Sequence, residues 1–407
     1  MSYIKRDLES KIEELSMDYA AIMLIGPRQV GKTTLLREIT EEKREYVTLD
    51  DFDERKLAKE DPEYFLSVHK TPILVDEVQY APELFSYIKI AIDAGAKPGT
   101  FWLTGSQSFR IMELAQESLA GRVAIVHMSS LSQNELYGDG ENSPFTVDLE
   151  DLKGRESKRK VCDVSGIFER IFEGSLPGYR SGKFKDRDVF YSSYVQTYID
   201  RDITELAGNV DKFAMSDFIR ACACRCSCEL NLHQIAVDVG VSDNTAKNWL
   251  KVLEQSEIIF YLRPYSNNLL NRTIKSPKMY FFDTGLVAYL TKYESPQTLM
   301  SGALSGAIFE NYVVAELRKS YQNSCKSPAL WYYRDKDKRE IDLVLESNGV
   351  LYPIEIKKSS NPRSGATSAF AVLDRAPLER GQGAIICMKE NLGALNRESL
   401  IVPAWVI

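Results

Sequence analysis

The segment that most restricts the fold is GPRQVGKTTL, which begins at Gly26. It meets the pattern G-x-x-x-x-G-K-[ST] through Gly26, Gly31, Lys32 and Thr33, and the apolar run AAIMLI precedes it. We expect a buried strand, a glycine-rich loop and a helix that begins near the lysine, because this order points backbone N–H groups and a helix N-terminus at phosphate. The pattern therefore predicts an α/β domain with a parallel sheet and a nucleotide at the edge of that sheet.

The loop supplies most of the predicted nucleotide contacts. Lys32 is expected to neutralise the outer phosphates, and the Thr33 hydroxyl is expected to bind Mg²⁺. Arg28 either lies over phosphate or is a turn residue that faces water. No N-K-x-D motif for reading guanine occurs, so ATP is the expected nucleotide. The residues predicted to bind it are Gly26, Pro27, Arg28, Gln29, Val30, Gly31, Lys32, Thr33 and Thr34.

Two later apolar segments end in polar residues that suit hydrolysis. ILVDE reads as a buried parallel strand followed by Asp76, a predicted Mg²⁺ ligand, and Glu77, which is predicted to polarise the attacking water. FWLTGSQ predicts another strand, and its tip brings Ser106 or Gln107 toward the γ-phosphate. The alternative for the two acids is a solvated pair at the end of a strand.

Arg122 stands at the start of a further predicted strand, in the segment SLAGRVAIVH. An arginine that reaches the γ-phosphate, in its own chain or from a neighbouring one, stabilises the charge of the transition state. A solvated or structural arginine fits the sequence equally well.

A change of composition marks the end of the first domain. From Tyr137 to Lys160 the chain becomes acidic and then basic, with Gly, Pro and Ser between the charges. A chain of 407 residues is too long for one core. We expect three domains, at 1–150, 151–295 and 296–407.

The middle domain contains a helix-turn-helix pattern. One predicted helix ends at Gly240, Ser242 caps the next, and EIIFYLRPY follows as a strand, which is the order of a winged helix. If this unit binds nucleic acid, Lys247 and Lys251 lie near phosphate. The alternative is a winged helix that contacts protein or folds onto the first domain. The basic residues of the predicted wing are Arg263, Arg272, Lys275 and Lys278.

The last domain carries acids in an order that suits a divalent metal. Glu310 lies near the start of an amphipathic helix, Asp342 lies on a hairpin strand, and Glu355 and Lys357 end a following strand. Residues two apart on a strand share a face, so the acids are expected to converge on a metal ion. Lys357 would then orient the water that cuts a phosphodiester. An exposed face of ion pairs is the alternative reading.

Composition limits the remaining possibilities. The net charge of −7 means that any nucleic-acid contact must come from a local patch. No apolar run approaches the roughly 18 residues of a membrane span, so we expect a cytoplasmic protein with no membrane partner. Four cysteines, Cys222, Cys224, Cys226 and Cys228, alternate in a way that favours packing over metal binding.

Several motifs together resemble one known family. They are GPRQVGKTT, ILVDEVQ, LTGSQSF, ESLAGRVA, YIDRDI, SDNTAKNWLKVLE, KSPKMYFFDTGLVAYL, FENYVVAEL, EIDLV and IEIKKS. The chain is similar over nearly its whole length to the bacterial and archaeal proteins that join an AAA-type ATPase domain to a C-terminal domain of unassigned function with a restriction-endonuclease-like PD-(D/E)xK core. The resemblance implies ATP and Mg²⁺ at the loop and Asp76, and a nuclease-like fold around Asp342, Glu355 and Lys357.

Two functions remain open from the sequence. The first is an ATPase whose nucleotide cycle controls nucleic-acid binding or processing by the winged helix and the nuclease-like domain. The second is a nucleotide-gated switch whose C-terminal fold is inert and grips a protein partner. The sequence leaves the oligomeric state open.

Overall fold

The computed structural model describes residues 3–40, 43–106, 119–138, 142–199, 211–266, 276–327 and 329–407. Of the residues given a role above, Gln107, Arg272 and Lys275 lie outside these ranges. The contacts expected of these three residues stay predictions.

A parallel sheet of five described strands forms the N-terminal unit, in the order β2-β3-β4-β1-β5. Its central strands are apolar and buried on both faces, as expected for a parallel sheet that helices cover on each side. The strands are β1 Ala21–Ile25, β2 Glu45–Thr48, β3 Ile73–Asp76, β4 Phe101–Gly105 and β5 Val123–His127.

Among the described residues, five helices cover the two faces of this sheet: α1 Glu9–Asp18, α2 Lys32–Thr40, α3 Phe52–Glu60, α4 Pro62–Val68 and α5 Leu84–Asp93. Alternate strand residues face opposite sides, so Ile22 and Leu24 pack with α1 and α2 while Met23 and Ile25 pack with α3, α4 and α5. The loops at the carboxyl ends of the strands, where the predicted nucleotide residues lie, remain between these layers.

The middle of the chain is mostly helical and ends in a two-stranded hairpin. Asn231 and Ser242 cap α12 and α13, and Gly240, with φ +78°, ends α12. The two helices, the turn between them and strand β6 thus follow each other in the predicted order, and β7 adds a second strand beside β6. The elements are α6 Gln133–Tyr137, α7 Leu149–Lys158, α8 Val164–Glu173, α9 Pro177–Arg180, α10 Arg187–Tyr194, α11 Lys212–Ala223, α12 Leu232–Val239, α13 Asp243–Gln255, β6 Ile259–Pro264 and β7 Lys278–Phe281.

The hairpin β6-β7 is also the edge of the C-terminal sheet, because Arg263 and Pro264 of β6 pair with Trp331 and Tyr332 of β8. The order is β13-β14-β12-β10-β9-β8-β6-β7, with β11 beside β10. The remaining elements are α14 Thr284–Leu290, α15 Pro296–Ser301, α16 Ser305–Gln322, β8 Leu330–Arg334, β9 Glu340–Ser347, β10 Val350–Lys357, β11 Glu379–Arg380, β12 Gly383–Cys387, β13 Gly393–Asn396 and β14 Ser399–Pro403.

One hydrophobic core extends from Phe145 to Ile407 through both the middle and C-terminal segments. Asn311 of α16, which is fully buried, contributes to this union by exchanging two hydrogen bonds with the backbone of Phe281. The predicted boundary between residues 295 and 296 therefore falls inside one packed unit, because sheet and core are shared across it.

Candidate functional site

The glycine-rich loop follows β1 and turns through three residues with positive φ, Gly26, Gln29 and Gly31. A side chain at Gly26 would overlap the carbonyl oxygen of Met128, which follows β5, so the chain has room only for glycine there. The helix α2 begins at Lys32, as the motif predicts. The loop and the helix N-terminus therefore lie at the carboxyl edge of the sheet.

Lys32 is folded back onto this loop. Its side chain is buried, and Nζ donates hydrogen bonds to the carbonyl oxygens of Gly26 at 2.9 Å and Pro27 at 2.8 Å. Burial lowers the pKa of Lys32 to about 8, against the opposing charges of Glu77, Glu257 and Asp76. Arg28 is close enough for its positive charge to lower the same pKa.

Thr33 and Asp76 meet although they lie 43 positions apart, with Thr33 Oγ1 2.7 Å from Asp76 Oδ1. Thr104 Oγ1 also donates to Asp76 Oδ1, and Tyr46 Oη donates to Oδ2 at 3.0 Å. A hydroxyl and a buried carboxylate beside the glycine-rich loop are oxygen donors of the kind that Mg²⁺ prefers. The donor set therefore fits the ion that the sequence predicts.

Glu77 and Ser106 also come together at the ends of adjacent strands, with Ser106 Oγ 3.1 Å from Glu77 Oε2. Glu77 has a left-handed backbone, with φ +56°, and its N–H donates to Thr104 Oγ1 at 3.3 Å. Gln79 Nε2 contacts Glu77 Oε2 and lies 3.3 Å from Ser106 Oγ. Sequence reasoning missed Tyr46, Thr104 and Gln79, although the last two are neighbours of predicted residues in the motifs LTGSQ and DEVQ.

Arg122 lies away from this cluster. It precedes β5, whose first residue Val123 pairs with Ala21 at the amino end of β1, whereas the loop follows the carboxyl end of β1. Its guanidinium pairs with Asp93, with Nε 2.6 Å from Oδ1. The structure therefore does not bring Arg122 to the loop of its own chain, and the position of the residue fits its structural reading.

The carboxyl edge of the sheet contacts the rest of the chain through His127, the last residue of β5. His127 Nε2 lies 2.8 Å from Oε2 of Glu257, which joins α13 to β6. A groove of about 470 Å³ opens there, and its walls include Lys251 of α13 and Arg318 of α16. The helix-turn-helix segment therefore meets the first unit beside the loop.

Lys278 and Glu310 form a buried ion pair, which corrects the prediction that Lys278 is a basic residue exposed to nucleic acid. Lys278 is 4% exposed, and its Nζ lies 3.1 Å from Glu310 Oε1 and 2.7 Å from Glu340 Oε1. Tyr280 Oη donates to the same oxygen of Glu310 at 2.7 Å. Lys278 is thus not available to a nucleic acid, and the Glu310 carboxylate has protein partners in the place of the predicted metal.

Asp342 and Glu355 face a common point, as strand parity predicts, but the ammonium of Lys357 occupies it. Nζ lies 2.5 Å from Glu355 Oε1 and 3.4 Å from Asp342 Oδ2, and the latter oxygen also accepts from the N–H of Ile356 at 2.9 Å. Burial, with the charge of Asp342 adding to it, raises the pKa of Glu355. Burial also raises the pKa of Glu310 to about 7.

No group of three or more His, Cys, Asp or Glu residues is arranged to hold a metal ion in the part of the chain that the structure describes. Lysines neutralise Glu310, Asp342 and Glu355 in this structure, and joint binding of a metal ion by these acids stays a prediction. The alternating cysteines divide as expected, with Cys222 and Cys226 buried in the core and Cys224 and Cys228 exposed.

The basic residues of the helix-turn-helix are exposed where they were expected to face phosphate. Lys247 and Lys251 on α13 and Arg263 on β6 are all at the surface. Lys251 also lines the groove beside His127, so the solvent-exposed face of α13 extends to the N-terminal unit. Binding of nucleic acid by these residues stays a prediction.

Comparison with known proteins divides the chain into three matched segments. Residues 18–137 match the family profile described as AAA domain. Residues 165–297 match Domain of unknown function (DUF8612), and residues 305–407 match Domain of unknown function (DUF4143). The N-terminal unit is therefore an AAA-type P-loop ATPase domain. The C-terminal match names no activity, so the nuclease-like core stays a prediction.

Whole-length relatives are similar to the chain but name no activity. The uncharacterized proteins Rv2008c of Mycobacterium tuberculosis and Mb2031c of Mycobacterium bovis are each 27% identical over 402 residues, which is 98% of this chain and 83% of each relative. The Walker-type ATPase PABY2304 of Pyrococcus abyssi aligns with a TM-score of 0.44 and 16% identity, over 71% of this chain and 96% of that one. No helix among the described residues is long and apolar enough to cross a membrane.

Proposed function

We propose that the chain is a Mg²⁺-dependent ATPase whose nucleotide state is transmitted to the helix-turn-helix and the C-terminal unit. The observation that carries the proposal is the convergence of the Thr33–Asp76 and Glu77–Ser106 pairs beside the loop. Each pair joins residues far apart in sequence, which is the arrangement that a catalytic site requires and that a solvated pair of acids at a strand end does not.

In this proposal Lys32 leaves the carbonyls of its own loop and binds the outer phosphates of ATP. Thr33 and Asp76 would hold Mg²⁺, which would neutralise the phosphate charge. Glu77 accepts the proton of the attacking water, and Ser106, within hydrogen-bond distance of Glu77, orients that water. Gln79 keeps the Glu77 carboxylate at the same place through its contact with Oε2.

Transmission to the rest of the chain is proposed to start at the carboxyl edge of the sheet. Glu257 binds His127, and its charge also acts on Lys32, so phosphate bound at Lys32 repels this carboxylate. Glu257 directly joins α13 to β6, and a shift there moves the helix that carries Lys247 and Lys251. We propose nucleic acid as the partner of α13, with a protein partner as the alternative.

We favour a binding role for the C-terminal unit over cleavage of nucleic acid. A cleaving site needs carboxylates that are open to a divalent ion, whereas Lys357 and Lys278 engage Asp342, Glu355 and Glu310. The proposal therefore keeps the ATPase and nucleic-acid binding from the first function that the sequence leaves open, and it takes the inert C-terminal fold from the second.

Phosphate release from ATP and from GTP by the purified protein, with Mg²⁺ and with EDTA, tests the proposal. We expect hydrolysis of ATP that requires Mg²⁺ and disappears in the variant Lys32→Ala. The same samples are then incubated with plasmid and Mg²⁺ or Mn²⁺, with and without ATP. ATPase activity without nicking of the plasmid supports a C-terminal unit that does not cleave nucleic acid. Nicking that disappears in Asp342→Asn would instead show that this unit is a nuclease.

A further inference from the structure

Arg6, which lies outside the loop motif, is tied to the backbone of the loop. It is 4% exposed, and each of its three guanidinium nitrogens makes a hydrogen bond. Nη1 donates to the carbonyl oxygen of Val30 at 2.8 Å, Nη2 donates to that of Ser129 at 2.8 Å, and Nε donates to Glu135 Oε1 at 2.7 Å. One planar group therefore joins the loop, the segment after β5 and helix α6.

The guanidinium is itself held in one orientation. The Glu135 carboxylate is buried and also accepts the N–H groups of Asp7 at 3.0 Å and Ser132 at 2.8 Å. A buried ion pair in which all three guanidinium nitrogens and both carboxylate oxygens make hydrogen bonds has little freedom to rotate. A lysine at this position could not make the same three hydrogen bonds as the guanidinium, because a single ammonium does not present three donors in one plane.

Holding the carbonyl of Val30 also sets the direction of the next N–H. In a trans peptide the C=O and N–H groups point in opposite directions, so a carbonyl bound to Arg6 turns the N–H of Gly31 away from Arg6. Gly31 has φ +93° and no side chain, and a peptide beside such a residue flips at low cost. Arg6 therefore selects one of two orientations that the loop sequence leaves open.

We propose that Arg6 is a positioning residue for the nucleotide, which turns the N–H of Gly31 toward the phosphates. The inference rests on the proposed ATPase function and deepens it, because it assigns part of the phosphate affinity to a residue outside the motif. The mechanism is a backbone orientation and not a direct contact, since each nitrogen of the buried Arg6 guanidinium already binds Val30, Ser129 or Glu135.

Arg6→Lys and Arg6→Ala test the proposal through nucleotide binding and steady-state hydrolysis. Loss of one N–H···phosphate hydrogen bond weakens substrate and transition state alike, so we expect the Kd and the KM for ATP to rise by roughly tenfold or more. The kcat at saturating ATP should change by less than about threefold. Guanidinium chloride, well below concentrations that unfold the protein, should restore ATP affinity to Arg6→Ala.

Arg44→Ala is the matched control. The Arg44 guanidinium donates to the Gly99 carbonyl and lies 3.9 Å from the ring centre of Trp102, at the edge of the same sheet away from the loop. This variant should lose stability while its KM for ATP stays at the parent value. If Arg6→Ala does not fold, the Kd and KM for ATP are measured on Arg6→Lys alone, which keeps the positive charge beside Glu135.

Two results would overturn the inference, and they are distinguishable from failure of the proposed function. A parent protein that binds and hydrolyses ATP, together with a folded Arg6→Lys whose KM is unchanged, removes the role of Arg6 alone. An equal rise of KM in the Arg6 and Arg44 variants would reduce Arg6 to a general contribution to stability. A parent that does not bind ATP removes the ATPase proposal and the Arg6 inference with it.

Discussion

Replacing Lys278 with methionine tests whether this lysine or a metal ion balances the negative charge of Glu310 and Glu340. The Lys278 ammonium lies between Glu310 and Glu340, whose side chains are 15% and 33% exposed. Methionine fills most of the volume but leaves Glu310 with the hydroxyl of Tyr280 as its remaining described partner. Breaking a buried pair costs about 3–5 kcal/mol, and we expect about 3 kcal/mol here because Glu340 is partly solvated.

A second substitution in the same chain should recover part of this loss. Glu310→Gln removes the charge that Lys278→Met leaves unpaired, and its amide oxygen still accepts from Tyr280. The double variant should therefore be more stable than the sum of the single effects predicts, by about 1–3 kcal/mol. Urea unfolding followed by tryptophan fluorescence measures this, since Trp331 and Trp405 lie in the C-terminal unit.

The pH dependence provides an independent check. Burial already raises the pKa of Glu310 to about 7, so the folded state holds this proton more tightly than the unfolded state, and the free energy of unfolding falls as pH rises toward 7. Without Lys278 the folded pKa rises further. The stability difference between parent and Lys278→Met should therefore grow between pH 7 and 8, by up to about 1.4 kcal/mol.

Lys247→Met is the matched control, because Lys247 is exposed on α13, and its stability should stay within about 0.5 kcal/mol of the parent. The assignment of Lys278 as the counter-charge would be wrong if Lys278→Met and the parent had the same midpoint urea concentration of unfolding. It would also be wrong if Mg²⁺ or Mn²⁺ raised the melting temperature of the parent and Glu310→Gln abolished that rise, because the acids would then hold a metal.

Three further variants address the nucleotide and its partner. Lys32→Ala should abolish hydrolysis and weaken ATP binding in equilibrium dialysis, because the charge on the outer phosphates is lost. Glu77→Gln should retain bound ATP while phosphate release slows about 10²–10⁴-fold, and turnover at the parent rate would exclude Glu77 as the base. Replacing Lys247 and Lys251 together with glutamine should weaken nucleic-acid binding for all sequences and flatten its salt dependence. Unchanged affinity at low salt would favour a protein partner.

The ATPase domain could be predicted from the sequence because its determinants are local. The spacing of Gly26, Gly31 and Lys32 requires a particular turn between a strand and a helix, and the apolar segment before Asp76 predicts a buried parallel strand. Parallel strands of this kind end at one edge of a sheet, so the meeting of Thr33 with Asp76 follows from the fold class.

The lysine partners of the C-terminal acids could not be predicted in the same way. Lys278 and Glu310 are 32 positions apart, and they meet because β7 packs against α16. A lysine beside a proline in a basic segment reads equally well as an exposed wing residue. Strand parity correctly placed Asp342 and Glu355 on one face, but the same geometry accepts a metal ion or an ammonium group, and the sequence does not distinguish them.

The pairing of β6 with β8 has a consequence for how the chain is made and cut. During synthesis, the hairpin β6-β7 emerges long before β8, so one edge of β6 stays open until residue 334 has left the ribosome. A fragment that ends at residue 295 keeps that open edge and also lacks Asn311, which satisfies the buried backbone of Phe281. Open strand edges recruit other chains, so such a fragment should aggregate on expression, whereas a fragment that begins at residue 142, before the shared core begins at Phe145, should be soluble.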